Sequence, residues 1–130
     1  MTRTVAFGSV SDKQIDVYNT VLDAQVKSLA EIMPGKLCKD IDSVARNIIK
    51  SKGYGEYFGH GLGHGVGVEI HEKPSLNPSS EEVLRSGHIV TVEPGIYLPG
   101  EFGVRIEDMV YVTENGYENL TLCDKKLIVL

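Results

Sequence analysis

Three of the four histidines of this 130-residue chain fall within twelve residues, in Gly59-His60-Gly-Leu-Gly-His64-Gly-Val-Gly-Val-Glu-Ile-His71-Glu72. Downstream, Glu93 closes one apolar run just before Pro94-Gly95, and Arg105-Ile-Glu107-Asp108 interrupts another. Imidazole nitrogens and carboxylate oxygens carried on rigid strands are the donor set of a hydrolytic divalent-metal site. His60 and His64 are four apart, the spacing of a helical zinc motif, but glycines at 61, 63, 65 and 67 exclude that helix. The segment is therefore read as a loop running into a strand. His64 is taken as a metal ligand, and His60 and His71 as groups that support the ligands or touch substrate. Strand alternation would place His64 and His71 on opposite faces, so an irregularity must intervene if both serve one site.

Glu93 shares a strand face with Ile89 and Thr91, and Glu107 lies between Ile106 and Met109-Val110. An ionised carboxylate buried in such runs costs several kcal/mol unless a cation or strong donors compensate. Blander accounts exist for each residue alone: Glu93 as an exposed strand end, and Glu107 as the partner of Arg105 two residues back on its own face. Two such glutamates beside a histidine favour a metal.

Other chemistries fail on the residues. The glycine-rich run carries no Gly-Lys-Ser/Thr, and it lacks the preceding strand and following helix of a dinucleotide fingerprint. No Gly-x-Ser-x-Gly elbow is present. The net charge of −5, with no Lys/Arg cluster, argues against nucleic-acid binding. No apolar stretch is long enough to span a bilayer, and Met1 to Gly8 does not read as a signal peptide. Cys38 and Cys123 are far apart with no CxxC partner, and read as two reduced thiols of a cytoplasmic protein.

The elements that must position these residues form a single domain. Thr2 to Phe7 is β-prone. Ser11-Asp-Lys-Gln14 is a capping box, and behind it Ile15, Tyr18, Leu22, Val26 and Leu29 repeat at helical spacing as far as about Ile32. Pro34-Gly35 breaks that helix. A second carries Ile41, Val44, Ala45, Ile48 and Ile49 on one face and stops at Gly53. The period then changes to two. Strands are expected at Val66 to Ile70, His88 to Glu93 and Gly103 to Val112, with a loop over Pro74 to Ser80 and one helical turn over Glu81 to Arg85. A turn around Pro99-Gly100 and another at Thr113 to Gly116 lead to short strands at Glu118 to Leu122 and Leu127 to Leu130. Two helices followed by antiparallel strands is an α+β order.

Together, the Gly-His60-Gly-Leu-Gly-His64 string running to Pro74, the Val-Glu93-Pro-Gly-Ile-Tyr97 motif and the Gly-Val-Arg105-Ile-Glu107-Asp108 motif closely resemble the Xaa-Pro peptidases. These are the proline dipeptidases and aminopeptidases P of the creatinase/methionine aminopeptidase superfamily. The resemblance covers essentially the whole chain. It implies a pita-bread α+β fold, here two amphipathic helices packed on an antiparallel sheet. It further implies a peptidase with two divalent ions, Mn²⁺, Co²⁺ or Zn²⁺, acting on proline-containing peptides or dipeptides. By motif, His64 and Glu93 match ligands of one metal and Glu107 the glutamate shared by both. His60 and His71 match histidines that bind substrate or steady the tetrahedral intermediate, and Arg105 a supporting arginine.

Relatives of this kind also use two aspartates upstream of the histidine, and the second directly precedes a segment like Met1-Thr2-Arg3-Thr4. Asp12, Asp16, Asp23, Asp40 and Asp42 lie on helices or caps and do not replace them. Residues 1–130 thus correspond to the C-terminal half of a catalytic domain. On its own this piece is expected to hold at most one metal weakly and to be inactive. Exposed core surface should make it a homo-oligomer. A catalytically dead peptide- or protein-binding module on the same fold is the alternative.

Overall fold

A computed structural model describes residues 1–130. Helix α1 (Asp12–Ala30) starts at the expected capping box: the Ser11 side chain accepts from Gln14 N while the Gln14 side chain accepts from Ser11 N. Helix α2 (Cys38–Ser51) ends before Gly53, whose φ of +84° permits the reversal of the chain. The two helices pack on each other, and their fully buried residues (Val17, Val21, Ala24, Ile41, Ala45 and Ile49) enter one core with the sheet residues Leu76, Val90, Val92, Val110 and Val112.

The strands are β1 (Val5–Ala6), β2 (Gly63–Gly65), β3 (Glu72–Leu76), β4 (Ile89–Val92), β5 (Gly95–Leu98), β6 (Phe102–Arg105), β7 (Asp108–Val112), β8 (Tyr117–Asn119) and β9 (Ile128–Val129). Five of them form an antiparallel sheet in the order β3-β2-β4-β7-β8. The hairpin β5-β6 stands beside it, and β1 pairs in parallel with β9. The expected class, two amphipathic helices on an antiparallel sheet, is the one observed.

Several local expectations are corrected. Val66 to Ile70 is an open bend, with Val68 and Ile70 projecting into solvent. Glycines alternating with apolar residues mimic a strand, but the carboxylate of Glu72 folds over Gly67 and the chain turns there. Pro74 lies in the edge strand β3, where a missing N–H is tolerated, and not in a loop. Glu81 to Arg85 is extended, because Cys38 N donates to Glu82 O and Leu84 N to Lys36 O. The run Gly103 to Val112 is two strands broken at Ile106-Glu107. The first half pairs with β5, a strand the sequence did not signal. The last strands are shorter than expected, at Tyr117–Asn119 and Ile128–Val129.

Candidate active-site wall

His64 is the middle residue of β2, and Glu93 follows the last residue of β4. Gly63 and Gly65 flank the histidine because β2 lies too close to its neighbours for side chains there. A Cβ at Gly63 would collide with the carbonyl oxygen of Thr91, and one at Gly65 with that of Lys73. The result is a direct meeting of His64 Nε2 and Glu93 Oε1 at 3.1 Å. His64 Nδ1 lies 3.0 Å from the carbonyl oxygen of Gly65 and donates to it, which turns Nε2 toward the glutamate. The Thr91 hydroxyl donates to Glu93 Oε1 at 2.8 Å and fixes the carboxylate. Two Lewis bases brought together, each fixed by a further hydrogen bond, are donor types that suit a divalent cation.

The irregularity required for His71 is present. The register of β2 with β3 jumps from His64↔Ser75 to Gly65↔Glu72, and the imidazole of His71 comes to 4.3 Å from that of His64, centroid to centroid. His71 is exposed, on the open side of the wall.

Glu107 occupies the kink between β6 and β7, largely buried. It does not pair with Arg105. The Thr2 hydroxyl stands between them, donating to Glu107 Oε2 at 2.5 Å and accepting from Arg105 Nε at 3.1 Å. Arg105 Nη1 reaches toward Glu93 Oε2, 3.9 Å away. The guanidinium thus sits between the two glutamates. His64 and Glu93 are joined directly, whereas Glu107 is reached only through Thr2 and Arg105. No three His, Cys, Asp or Glu side chains converge in a group able to hold an ion.

His60 lies further along the same wall. Its Nδ1 donates to the Gly61 carbonyl at 2.8 Å, and Nε2 accepts from the Tyr97 hydroxyl at 3.0 Å. Tyr97 was not singled out as a site residue. Its ring lies over Gly95 and Gly103, where any Cβ would strike it. Burial pushes the Tyr97 hydroxyl pKa up, against the lowering influence of Arg105. The alternation Gly95-Ile-Tyr97 opposite Gly103-Val-Arg105 was the available signal, two glycines leaving room for one ring.

Behind the wall, Asp108 is fully buried. It receives Arg3 Nη2 at 2.7 Å, Asn119 Nδ2 at 2.7 Å and Lys125 Nζ at 2.5 Å. Burial alone would raise its pKa, but these donors outweigh it and hold the carboxyl below its ordinary value. Arg3 also donates to the carbonyls of Glu107, Cys123 and Asp124, tying the segment that carries Thr2 to the C-terminal stretch.

Known proteins share this arrangement of elements. Over 128 residues the chain is 51% identical to an Xaa-Pro dipeptidase of Pyrococcus horikoshii, a match covering 98% of this chain and 36% of the relative. Its fold superposes on an Xaa-Pro dipeptidase from Bacillus anthracis with a TM-score of 0.96 at 52% identity, covering 98% of this chain and 36% of that one. An X-Pro aminopeptidase from Thermotoga maritima gives 0.94 at 45% identity, again over 98% and 36%. The two helices and antiparallel sheet are thus part of a pita-bread fold, and the chain spans about a third of the length of these relatives. Residues 1–114 match the profile of metallopeptidase family M24. On that match and those identities, the chain belongs to metallopeptidase family M24.

Proposed function

We propose that residues 1–130 are the C-terminal half of the catalytic domain of an Xaa-Pro peptidase, contributing one wall of its active site. The observation that carries this reading is the convergence of His64 Nε2 and Glu93 Oε1, with Arg105 and Thr2 linking the pair to Glu107. His64, Glu93 and Glu107 would hold metal together with two aspartates supplied by the rest of the parent protein. Two divalent ions so held, Mn²⁺, Co²⁺ or Zn²⁺, would supply a hydroxide nucleophile at neutral pH and polarise the scissile carbonyl.

The remaining residues then have separable tasks. His71, exposed beside His64, donates to the developing oxyanion of the peptide carbonyl. His60 offers no free proton at Nε2 while Tyr97 occupies it, so substrate binding there requires the Tyr97 hydroxyl to turn away or to be shared. Arg105 balances the charge of Glu93 and, through Thr2, orients Glu107. Preference for proline follows from a site that asks for no donor at the scissile nitrogen, since an imide has no N–H. The partner is a proline-containing peptide. A reducing cytoplasm suits the two unpaired thiols, Cys38 and Cys123.

The test compares the parent protein with residues 1–130 on a prolyl dipeptide and on a longer Xaa-Pro peptide, with each metal in turn. The parent should hydrolyse at least one and the isolated piece neither. Robust hydrolysis by the piece overturns its assignment as half a site, and no hydrolysis by the metal-loaded parent overturns the enzyme reading. The second reading is a peptide- or protein-binding module without catalysis on the same fold. Peptide binding by the parent with no turnover would support it.

A further inference from the structure

Asp42 is 1% exposed on α2, where a charged side chain must be paired to be tolerated. Its partner is Arg46, one helical turn on, in a two-point fork: Nε to Oδ2 at 2.8 Å and Nη2 to Oδ1 at 2.9 Å. Neither residue uses all its capacity on the other. Asp42 Oδ1 also accepts from Leu62 N at 3.0 Å. Arg46 Nη1 donates to the Phe58 carbonyl at 3.1 Å, and Nη2 to the His60 carbonyl at 2.9 Å. The guanidinium lies over the Phe58 ring, 4.4 Å from its centroid, and that ring meets the His60 imidazole edge-on at 5.1 Å. Three backbone groups of the glycine-rich segment, on alternate residues 58, 60 and 62, are thus held by a single ion pair of α2.

The segment needs such a hold. Between η1 (Gly55–Tyr57) and β2 it belongs to no strand, its one backbone–backbone hydrogen bond runs from Glu93 N to Leu62 O at 2.8 Å, and Gly59 and Gly61 give it little stiffness of its own. Without external donors and acceptors, the carbonyls of Phe58 and His60 and the amide of Leu62 would be free to exchange partners.

We propose that Arg46, locked in its fork by Asp42, is a positioning residue: it fixes the backbone of the His60 loop and so sets where the His60 imidazole stands relative to Tyr97. This inference rests on the assignment of His60 to the substrate side of the wall only for its catalytic meaning, because the geometry itself is a property of residues 1–130. Lysine cannot take the role, since an ammonium has no planar fork to bridge a carboxylate and two carbonyls.

The experiment is NMR on residues 1–130 with Arg46→Lys and Asp42→Asn. Three things are followed: amide exchange of Leu62, the ¹⁵N shifts of the His60 ring, and exchange at Val90 and Val110 in the central strands. In each variant that folds, Leu62 exchange should rise at least about tenfold, and the His60 ring signal should lose its single tautomer. Val90 and Val110 should change far less. Unchanged Leu62 and His60 signals in a folded variant overturn the proposal, as does a uniform rise at Leu62, Val90 and Val110, which marks simple global destabilisation. Should Arg46→Lys fail to fold, Asp42→Asn, which keeps side-chain volume and one acceptor oxygen, decides by the same readouts. The same variants in the parent separate the two readings. A drop in kcat at unchanged metal affinity extends the positioning role to catalysis. An inactive parent with the NMR changes intact overturns only the enzymatic assignment.

Discussion

His64 Nε2 and Glu93 Oε1 stand 3.1 Å apart, the histidine in β2 and the glutamate just past the end of β4, two antiparallel strands joined at Gly65↔Val90. Each is fixed by a further hydrogen bond, the imidazole Nδ1 to Gly65 O and Thr91 Oγ1 to the same Glu93 oxygen that meets His64. On the proposed reading the pair takes a cation, and two donors alone hold it loosely. Titrating Mn²⁺ into residues 1–130 should therefore give a Kd of about 0.1–1 mM, or −4 to −5.5 kcal/mol. His64 and His71 resonances should broaden first. His64→Ala should abolish the effect and His88→Ala should leave it intact. Broadening that survives His64→Ala would refute the assignment of the ligand.

The close approach of β2 to its neighbours makes Gly63 a second point of test. Its Cβ position is filled by the Thr91 carbonyl, which is fixed in β4, so alanine there must push two strands of the central sheet apart. Gly63→Ala should cost about 3 kcal/mol in chemical denaturation. Gly59→Ala meets nothing within 4 Å and should change stability by no more than about 0.5 kcal/mol. Equal effects of the two substitutions would contradict the packing described.

These examples show what the sequence could and could not disclose. The capping box at Ser11 and the stop at Gly53 act within a few residues, and both were legible. His64, Glu93 and Glu107 stand out in the sequence as candidates because a histidine in a glycine-rich run and two glutamates in apolar runs are out of place there. The bend at Val66 to Ile70 was not, because its cause is Glu72 folding back over Gly67, a contact outside the reach of alternation. The kink at Glu107 was equally hidden: it depends on Thr2 pairing with residue 107 from the far end of the chain. Asp42 looked like one more helical acid. Only its contact with Leu62 N, twenty residues away, gives it meaning.

Glu82 provides a pH test remote from the donors. Its carboxylate accepts from Ser75 N at 2.8 Å and faces Lys73 Nζ at 3.3 Å, joining edge strand β3 to the extended segment after it. The backbone hydrogen bond from Ser75, helped by Lys73, holds its pKa below the ordinary glutamate value. Because the folded value is depressed, the stabilisation is fully present above the ordinary glutamate range and is lost as pH falls through the depressed value. Glu82→Gln should thus be less stable than the parent sequence by about 1 kcal/mol at pH 7. The difference should shrink below about pH 4. A difference independent of pH would show that the carboxylate charge is not what Ser75 and Lys73 bind.

The two-stranded β1-β9 ribbon leads to the last prediction. Phe7 is 90% exposed, and Val5, Ile128, Val129 and Leu130 are each at least half or nearly half exposed around it. A ribbon of two strands is marginal by itself, and this apolar group is large for the surface of a chain of 130 residues. Residues 1–130 should therefore self-associate at tens of micromolar, seen as a concentration-dependent mass in light scattering. Phe7→Ser combined with Ile128→Thr should shift the species toward monomer, while Leu122→Ser, a single exposed leucine outside the ribbon, should not. A monodisperse monomer for the unmodified chain at that concentration would show that the ribbon is satisfied as it stands.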